Sequence, residues 1–326
     1  MKRLKRIILS GFVLLAAWYP APADAQGDVR TTYAVVREGR VTFQAAGVAE
    51  PFRVLFLSDT HFTVEDSRGE PYRKYSERMG GAAVRPENYG VSNGRERQLL
   101  KALAQARKDS VELVVLGGDM LNFPSLASVD SLLAIMTHSG LDWVYIAGNH
   151  DWHYEGEAGT SAEQRSRWES TALAPLYQGG DPLARAEVRH GVNLVFIDNS
   201  TLEVTPGQLD FLRREIARGL PMVLFMHVPV YFPGQNIDYS CGHPQWDEVH
   251  DCYYEIERRQ PWPKEGHTAT TQAFCELVRE CPQIIGCFAG HTHERAIDFY
   301  NGRLQYVVGA NHSGDAVTIR FEPPAR

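Results

Sequence analysis

Gly148-Asn149-His150-Asp151 follows the apolar run Trp143-Val144-Tyr145-Ile146-Ala147. The run reads as a buried strand, and the glycine ends it. Asn149 offers a carbonyl oxygen to a metal, and His150 an imidazole able to carry a proton. Taken alone, such a tetrapeptide is usually turn chemistry. Here four other apolar runs end in the same way. Phe52–Leu57 leads into Ser58-Asp59-Thr60-His61, and Glu112–Leu116 into Gly117-Gly118-Asp119. Met222–Met226 leads into His227, and Ile284–Ala289 into Gly290-His291-Thr292-His293. In extended chain residues i and i+2 share a face, so Asp59 and His61 can point at one atom.

Between these runs the sequence alternates with helical periodicity. Helices are expected over 95–108, 125–138, 161–173, 206–218 and 268–280, the fourth opening on Pro206. A hairpin is expected at 31–36 and 40–45, and another around Gly191. Three short strands, 296–300, 304–308 and 316–321, close the chain. Alternating strands and helices with a strand-rich tail indicate an α/β domain with mixed sheets. Ligand sites in such sheets gather at the carboxyl edges of strands. Two stretches, 62–93 and 228–267, show no period. The first is polar and glycine-rich, with Arg73, Lys74, Arg78 and Arg85, and the second is rich in aromatics. Long irregular insertions are commonly functional, and the two are candidates for a substrate-selecting rim. The aromatics suit a small core under the second loop equally well.

The N-terminus reads separately. Lys2, Arg3, Lys5 and Arg6 precede a short apolar run, Ile7–Trp18, and Ala23-Asp24-Ala25 has the pattern of a cleavage site. The run falls short of the roughly 20 residues that a spanning helix needs. The expected organisation is a signal peptide over 1–25 and one domain over 26–326, exported to a bacterial envelope or beyond. No cysteine lies near the cleavage site, which argues against a lipid anchor. All five cysteines follow residue 240. Pairing is plausible in an exported chain: Cys241 with Cys252 is expected, Cys275 with Cys281 would close a short loop, and Cys287 reads as a buried thiol. No C-x-x-C spacing points to a thiolate metal site. The chain is acidic, with formal net charge −7 and no basic block. That disfavours a nucleic-acid surface and means that a phosphate substrate would need local positive charge.

The polar residues at the five strand ends are Asp59, His61, Asp119, Asn149, His150, His227, His291 and His293. Oxygen and nitrogen donors without sulfur suit Mn, Fe, Co, Ni or Zn. So many convergent donors suggest two divalent metal ions sharing a bridge. Singly, each residue reads as a satisfied turn or histidine; five coincident motifs do not.

The ordered set D-x-H, G-D, G-N-H-D, a lone strand-end His and G-H-T-H resembles the calcineurin-like metallophosphoesterase superfamily. The resemblance spans residues 59–293. It implies two mixed sheets packed as a sandwich flanked by helices, with a dinuclear centre at one edge. It implies that Asp59, His61, Asp119 and His293 hold one metal. It implies Asp119, Asn149, His227 and His291 for the second, with Asp119 bridging, and His150 as general acid rather than ligand. Such a centre clamps a phosphoric ester and supplies hydroxide to attack phosphorus in line, while a histidine protonates the leaving group. A small phosphorylated substrate, monoester or diester, is the expected partner.

The chain departs from some relatives. Purple acid phosphatases carry a tyrosine where Asn122 stands and lack a counterpart of His61, so an iron–tyrosinate centre is not expected. Many other members have an aspartate there that orients the catalytic histidine. Asn122 could accept that hydrogen bond through its amide oxygen, though without the charge. The protein-phosphatase run G-D-x-V-D-R-G is absent. Asp151 is expected to fix the turn, His153 and His312 are candidates to line the pocket, and the remaining histidines read as structural. The rival readings are a non-catalytic metal-binding scaffold on the same fold and a nuclease. The first would lack a ligand, and the second would need a basic groove.

Overall fold

The computed structural model describes residues 33–37, 39–251 and 262–324. The expected leader and Cys252 lie outside the described residues. No helix among them is long and apolar enough to cross a membrane.

Twelve strands form two six-stranded sheets. The first contains β1 (Tyr33–Arg37), β2 (Arg40–Gln44), β3 (Phe52–Leu57), β4 (Leu113–Leu116), β5 (Trp143–Tyr145) and β12 (Val317–Glu322), in the order β1-β2-β12-β3-β4-β5. The second contains β6 (Ala184–Arg189), β7 (Val192–Ile197), β8 (Met222–Phe225), β9 (Ile284–Ala289), β10 (Ala296–Tyr300) and β11 (Arg303–Val307), in the order β10-β11-β9-β8-β7-β6. Both sheets are mixed. β3, β4 and β5 run parallel, as do β7, β8 and β9, while β12 is antiparallel to β3.

The side-chain alternation of the strands explains the layers. On β3, Val54 and Phe56 point between the sheets, where they meet Val41, Phe43, Phe225, Phe288 and Phe321. Leu55 and Leu57 point the other way, under α2 (Glu96–Lys108) and α3 (Leu126–Ser139). A third cluster lies between the second sheet and the helices α5 (Pro206–Ile216) and α6 (Ala269–Glu280). Each fully buried Phe or Leu contributes about 1.5–3 kcal/mol. The fold is therefore helix, sheet, sheet, helix, the α/β sandwich expected from the pattern.

The helices begin where capping chemistry permits. The Ser125 hydroxyl accepts from Ser128 N at the start of α3. Reciprocal capping boxes open α4 (Ser161–Glu169; Thr160 with Glu163) and α5 (Thr205 with Gln208). On α2 the buried positions Leu99, Leu103 and Ala106 repeat at helical spacing.

The first of the two irregular stretches differs from expectation. Residues 62–93 are mostly helical: α1 (Arg73–Gly80) is preceded by a 3₁₀ turn at Ser67–Tyr72 and followed by others at Gly81–Val84 and Pro86–Asn88. Tyr72 stacks on Tyr154, which stacks on Phe123, so the insertion is sealed onto the first sheet's helical layer. Its charges are engaged locally. Arg73 pairs with Glu70, Arg85 with Glu77, and Arg78 donates to the Glu155 carbonyl. In the second stretch Val230, Phe232, Trp246 and Trp262 are buried in the third cluster. Of its two readings, a small core under the loop is the one these residues adopt.

The Cys275–Cys281 bridge is not formed; Cys241, Cys275, Cys281 and Cys287 are all buried free thiols. Six residues along a helix rise about 9 Å, beyond the roughly 7 Å between Cα atoms that a disulfide spans. Cys275 instead lies 3.6 Å from the Cys241 carbonyl, and Cys281 caps the end of α6 against Gln283. The expected Cys241–Cys252 pair is not formed either: Cys241 is a free thiol that donates to the Leu202 carbonyl at 3.1 Å, and Cys252 lies outside the described residues.

Candidate metal centre

The carboxyl ends of β3, β4, β8 and β9, together with the turn after β5, converge on one edge of the sandwich. The turns there are tight and unusual. Asp59, His61, Asp119, His291 and His293 all have left-handed backbone, with φ between 47° and 71°. Ten non-glycine residues share that conformation among the described residues, and half of them are expected ligands. Non-glycine residues in this region cost energy and cluster at functional sites. Glycines make the approach possible. A Cβ on Gly148 would overlap Asp119, and one on Gly290 would overlap Ser58 Oγ and Asp59 Oδ2.

Two donor sets result. In the first, His61 Nε2 and His293 Nε2 face each other at 2.9 Å. Asp59 Oδ1 lies 3.5 Å from His293 Nε2 and 3.9 Å from His61 Nε2, and Asp119 Oδ2 lies 3.8 Å from His61 Nε2. In the second, Asn149 Oδ1 is 3.1 Å from His227 Nε2 and 3.0 Å from His291 Nδ1. Asp119 Oδ2 is 3.4 Å from His227 Nε2. Donors about 3–3.5 Å apart are what metal–ligand bonds of about 2.0–2.2 Å require of neighbours. Asp119 Oδ2 alone belongs to both sets. Asp59 Oδ1 is buried with no hydrogen-bond partner. A buried carboxylate oxygen left unpaired is costly, and a cation would satisfy it. All seven expected ligands come together, and the residues fit two divalent cations.

The other atoms of these side chains are held from behind. Ser58 Oγ and the His291 N–H donate to Asp59 Oδ2 at 2.5 and 3.0 Å. The His150 N–H donates to Asp119 Oδ1 at 2.8 Å. His227 Nδ1 donates to the Gly117 carbonyl at 2.9 Å, which aims Nε2 into the site. Asp151 receives the Leu121 and Gly148 N–H groups at 2.7 and 2.8 Å, so it ties the turn together and is not a ligand. Burial first, then the nearby Asp119, pushes its carboxyl up to about 7.

The centre is electrostatically polarised. Burial, then the neighbouring His150, pushes His61 down to about 3. Burial, then His227, pushes His291 down to about 4. Both are thus neutral imidazoles, the form a metal binds. Burial opposes protonation of His227 too, but the Asp119 carboxylate outweighs it and raises this group to about 10. Burial would likewise raise Asp119, yet the surrounding imidazoles, His227 foremost, hold it well below the usual carboxylate range.

His150 stands edge-on to His61, with ring centroids 4.6 Å apart. The donors of His61, Asp119 and His150 all lie within 4.8 Å of one another. Its Nδ1 lies 3.2 Å from the main-chain carbonyl of Asn122. The expectation of a side-chain bond here is corrected: the Asn122 amide turns away and donates to the Met79 carbonyl. A carbonyl from the Phe62–Leu121 bridge region can orient the ring whatever side chain residue 122 carries. His312 reaches the pocket, its ring 5.4 Å from His293 and 5.9 Å from His61. His153 does not; it is buried against Gln164.

One residue at the rim has no motif to announce it. Arg95 precedes α2, and its Nη1 lies 3.5 Å from the His61 carbonyl, beside the 2.9 Å bond from Asn93 Nδ2. In the sequence it is only the first residue of an expected helix.

The family description "Calcineurin-like phosphoesterase" matches residues 52–295. No curated protein sequence matches the chain. Among solved structures, a dimetal phosphatase from Danio rerio is similar at TM-score 0.50 and 13% identity, over 82% of this chain and 91% of that one. A purple acid phosphatase from yellow lupin (Lupinus luteus) seeds is similar at TM-score 0.52 and 13% identity, over 86% of this chain and 56% of that one. At this identity the two establish a shared fold.

Proposed function

Because the chain belongs to the calcineurin-like phosphoesterase family, and so is a metal-dependent phosphoesterase, we propose that it is an exported hydrolase of small phosphoric esters. The observation that carries the reading is the paired donor sets around Asp119 Oδ2, with Asp59 Oδ1 buried and unsatisfied between imidazoles. In this reading Asp59, His61, Asp119 and His293 hold one divalent cation. Asp119, Asn149, His227 and His291 hold the other. Two such cations would neutralise phosphoryl oxygens and supply an activated water.

The protein's own groups do the rest. Nδ1–H of His150 donates to the Asn122 carbonyl, so the mobile proton sits on Nε2. From there it passes to the departing oxygen. Asp151 ties the His150 turn to the segment after β4, at Leu121. Arg95 and His312 stand at the mouth, where a guanidinium complements the second charge of a monoester dianion. We therefore favour phosphomonoesters over diesters. A scaffold role is disfavoured because no ligand is missing, and the engaged charges of residues 67–88 provide no basic groove for a nuclease.

The test is hydrolysis by chelator-treated protein reloaded with Mn, Zn, Fe or Ni. Alkyl monoesters, matched diesters, nucleotides and duplex DNA form the panel. Faster turnover of monoesters than of diesters is expected. A preference for diesters or DNA contradicts the monoester assignment, and no turnover of any ester contradicts the function. Export is a separate part of the proposal, resting on the basic and apolar leader. Mass spectrometry should place the mature N-terminus near Gln26; envelope protein that retains residues 1–25 refutes cleavage.

A further inference from the structure

The outer face of the first sheet is only partly covered. α2 and α3 lie over β3, β4 and β5, and among the described residues no helix packs over β2 and β12. On these strands Val41, Phe43, Val317, Ile319 and Phe321 point into the sandwich. By alternation, Arg40, Thr42, Thr318 and Arg320 point outward. Arg53 does the same on β3. The C-terminal end of α2, at Lys108, Asp109 and Ser110, forms a wall beside them. Together these eight residues line a cleft of about 480 Å³.

Its charge is out of keeping with the chain. Four cations, Arg40, Arg53, Lys108 and Arg320, line the cleft with one carboxylate, Asp109, and a second, Glu322, stands beside Arg320, in a protein of formal net charge −7. The register sharpens the point. Arg320 is the direct cross-strand partner of Arg53 on one side and of Thr42 on the other. Like charges directly opposite on antiparallel strands are destabilising. The compensation present is incomplete. Arg320 pairs with Glu322 at 2.5 Å, and Arg53 Nη1 donates to the Asp109 carbonyl at 2.9 Å. That second bond also takes up the negative end of α2. Asp109 itself is held by Gln105 Nε2 at 3.0 Å. Arg40 and Lys108 are exposed, and among the described residues neither forms an ion pair. The hydroxyls of Thr42, Thr318 and Ser110 add donors between the cations.

We propose that this cleft binds a ligand bearing several clustered phosphate or sulfate groups. It is a site separate from the metal centre: Arg53 lies six residues before Asp59 on an extended strand, roughly 20 Å away. An oxyanion between Arg53 and Arg320 relieves their repulsion, and Arg40 and Lys108 engage a second one. Guanidinium groups in a row suit bidentate oxyanion recognition. Two sources carry this chemistry, a soluble oligoanion and the phosphate headgroups of a lipid surface.

The probe is inositol hexasulfate, whose sulfate esters are weak metal ligands, titrated calorimetrically into metal-loaded protein. The comparison is the double variant Arg40→Glu/Lys108→Glu, two exposed positions away from the metal centre. Saturable binding to the unaltered protein is expected, weakened roughly tenfold or more in the variant, with nitrophenyl phosphate hydrolysis unchanged. Equal affinity in both proteins, or no saturable binding to either, overturns the proposal. Sedimentation with phosphatidylglycerol vesicles, against phosphatidylcholine controls, separates the sources. Vesicle binding lost in the variant assigns a headgroup. Hexasulfate binding without vesicle binding assigns a soluble oligoanion.

Discussion

Asp119→Asn is expected to empty both metal positions at once. Its Oδ2 is the one oxygen shared by the two donor sets, 3.8 Å from His61 Nε2 and 3.4 Å from His227 Nε2. An amide carries no charge and only one oxygen. Whichever way it turns, either the shared position becomes an N–H donor or the acceptor for the His150 N–H is lost. The fold should survive, because asparagine tolerates the left-handed backbone found at this position, φ 51°. Metal analysis of the purified variant should show less than one equivalent. Two cations contribute several kcal/mol at a transferring phosphoryl group, so turnover should fall by on the order of a thousandfold or more. A variant that keeps two equivalents would show that Asp119 does not bridge.

The second large effect is selective. His150→Ala should retain both metals and the fold yet lose turnover of esters with poor leaving groups. His150 is held through Nδ1 by the Asn122 carbonyl and stands beside a site already supplied with seven other donors. General-acid catalysis is worth roughly 10²–10⁴-fold. An alkyl phosphate should lose that much. A nitrophenyl phosphate, whose leaving group departs without a proton, should change little. The two esters compared side by side, with metal analysis, decide the role. An equal fall on both with metal lost would make His150 a ligand, as its place within 4.8 Å of the donors of His61 and Asp119 also permits.

What could be read from the sequence was local. A buried strand ending in a polar motif is written in consecutive residues. Phe52–Leu57 and Ile284–Ala289 appear as strands with the expected bounds, and the polar residues after them meet at one edge. The helices over 96–108, 126–139 and 269–280 were legible for the same reason, since their apolar period exceeds two turns. What could not be read depends on partners distant in sequence. Residues 67–88 form helices of one or two turns, too short for a period, and hold their shape by seating Tyr72 on Tyr154. His153 and His312 look alike as letters, but one packs against Gln164 and the other reaches His293. The acceptor for His150 is a main-chain carbonyl, which every residue possesses, so residue type could not disclose it. The cationic cleft is assembled from three strands and a helix end, and each arginine in it reads alone as surface charge.

The central claim is that one edge of the sandwich holds two divalent cations and uses them on a phosphoric ester. Titration of chelator-treated protein with Mn²⁺, following bound metal and hydrolysis of an alkyl phosphate together, tests it most directly. The donor geometry predicts two bound equivalents per chain, with hydrolysis rising as the second is filled. Saturation at one equivalent, or hydrolysis that proceeds equally without metal, would contradict it.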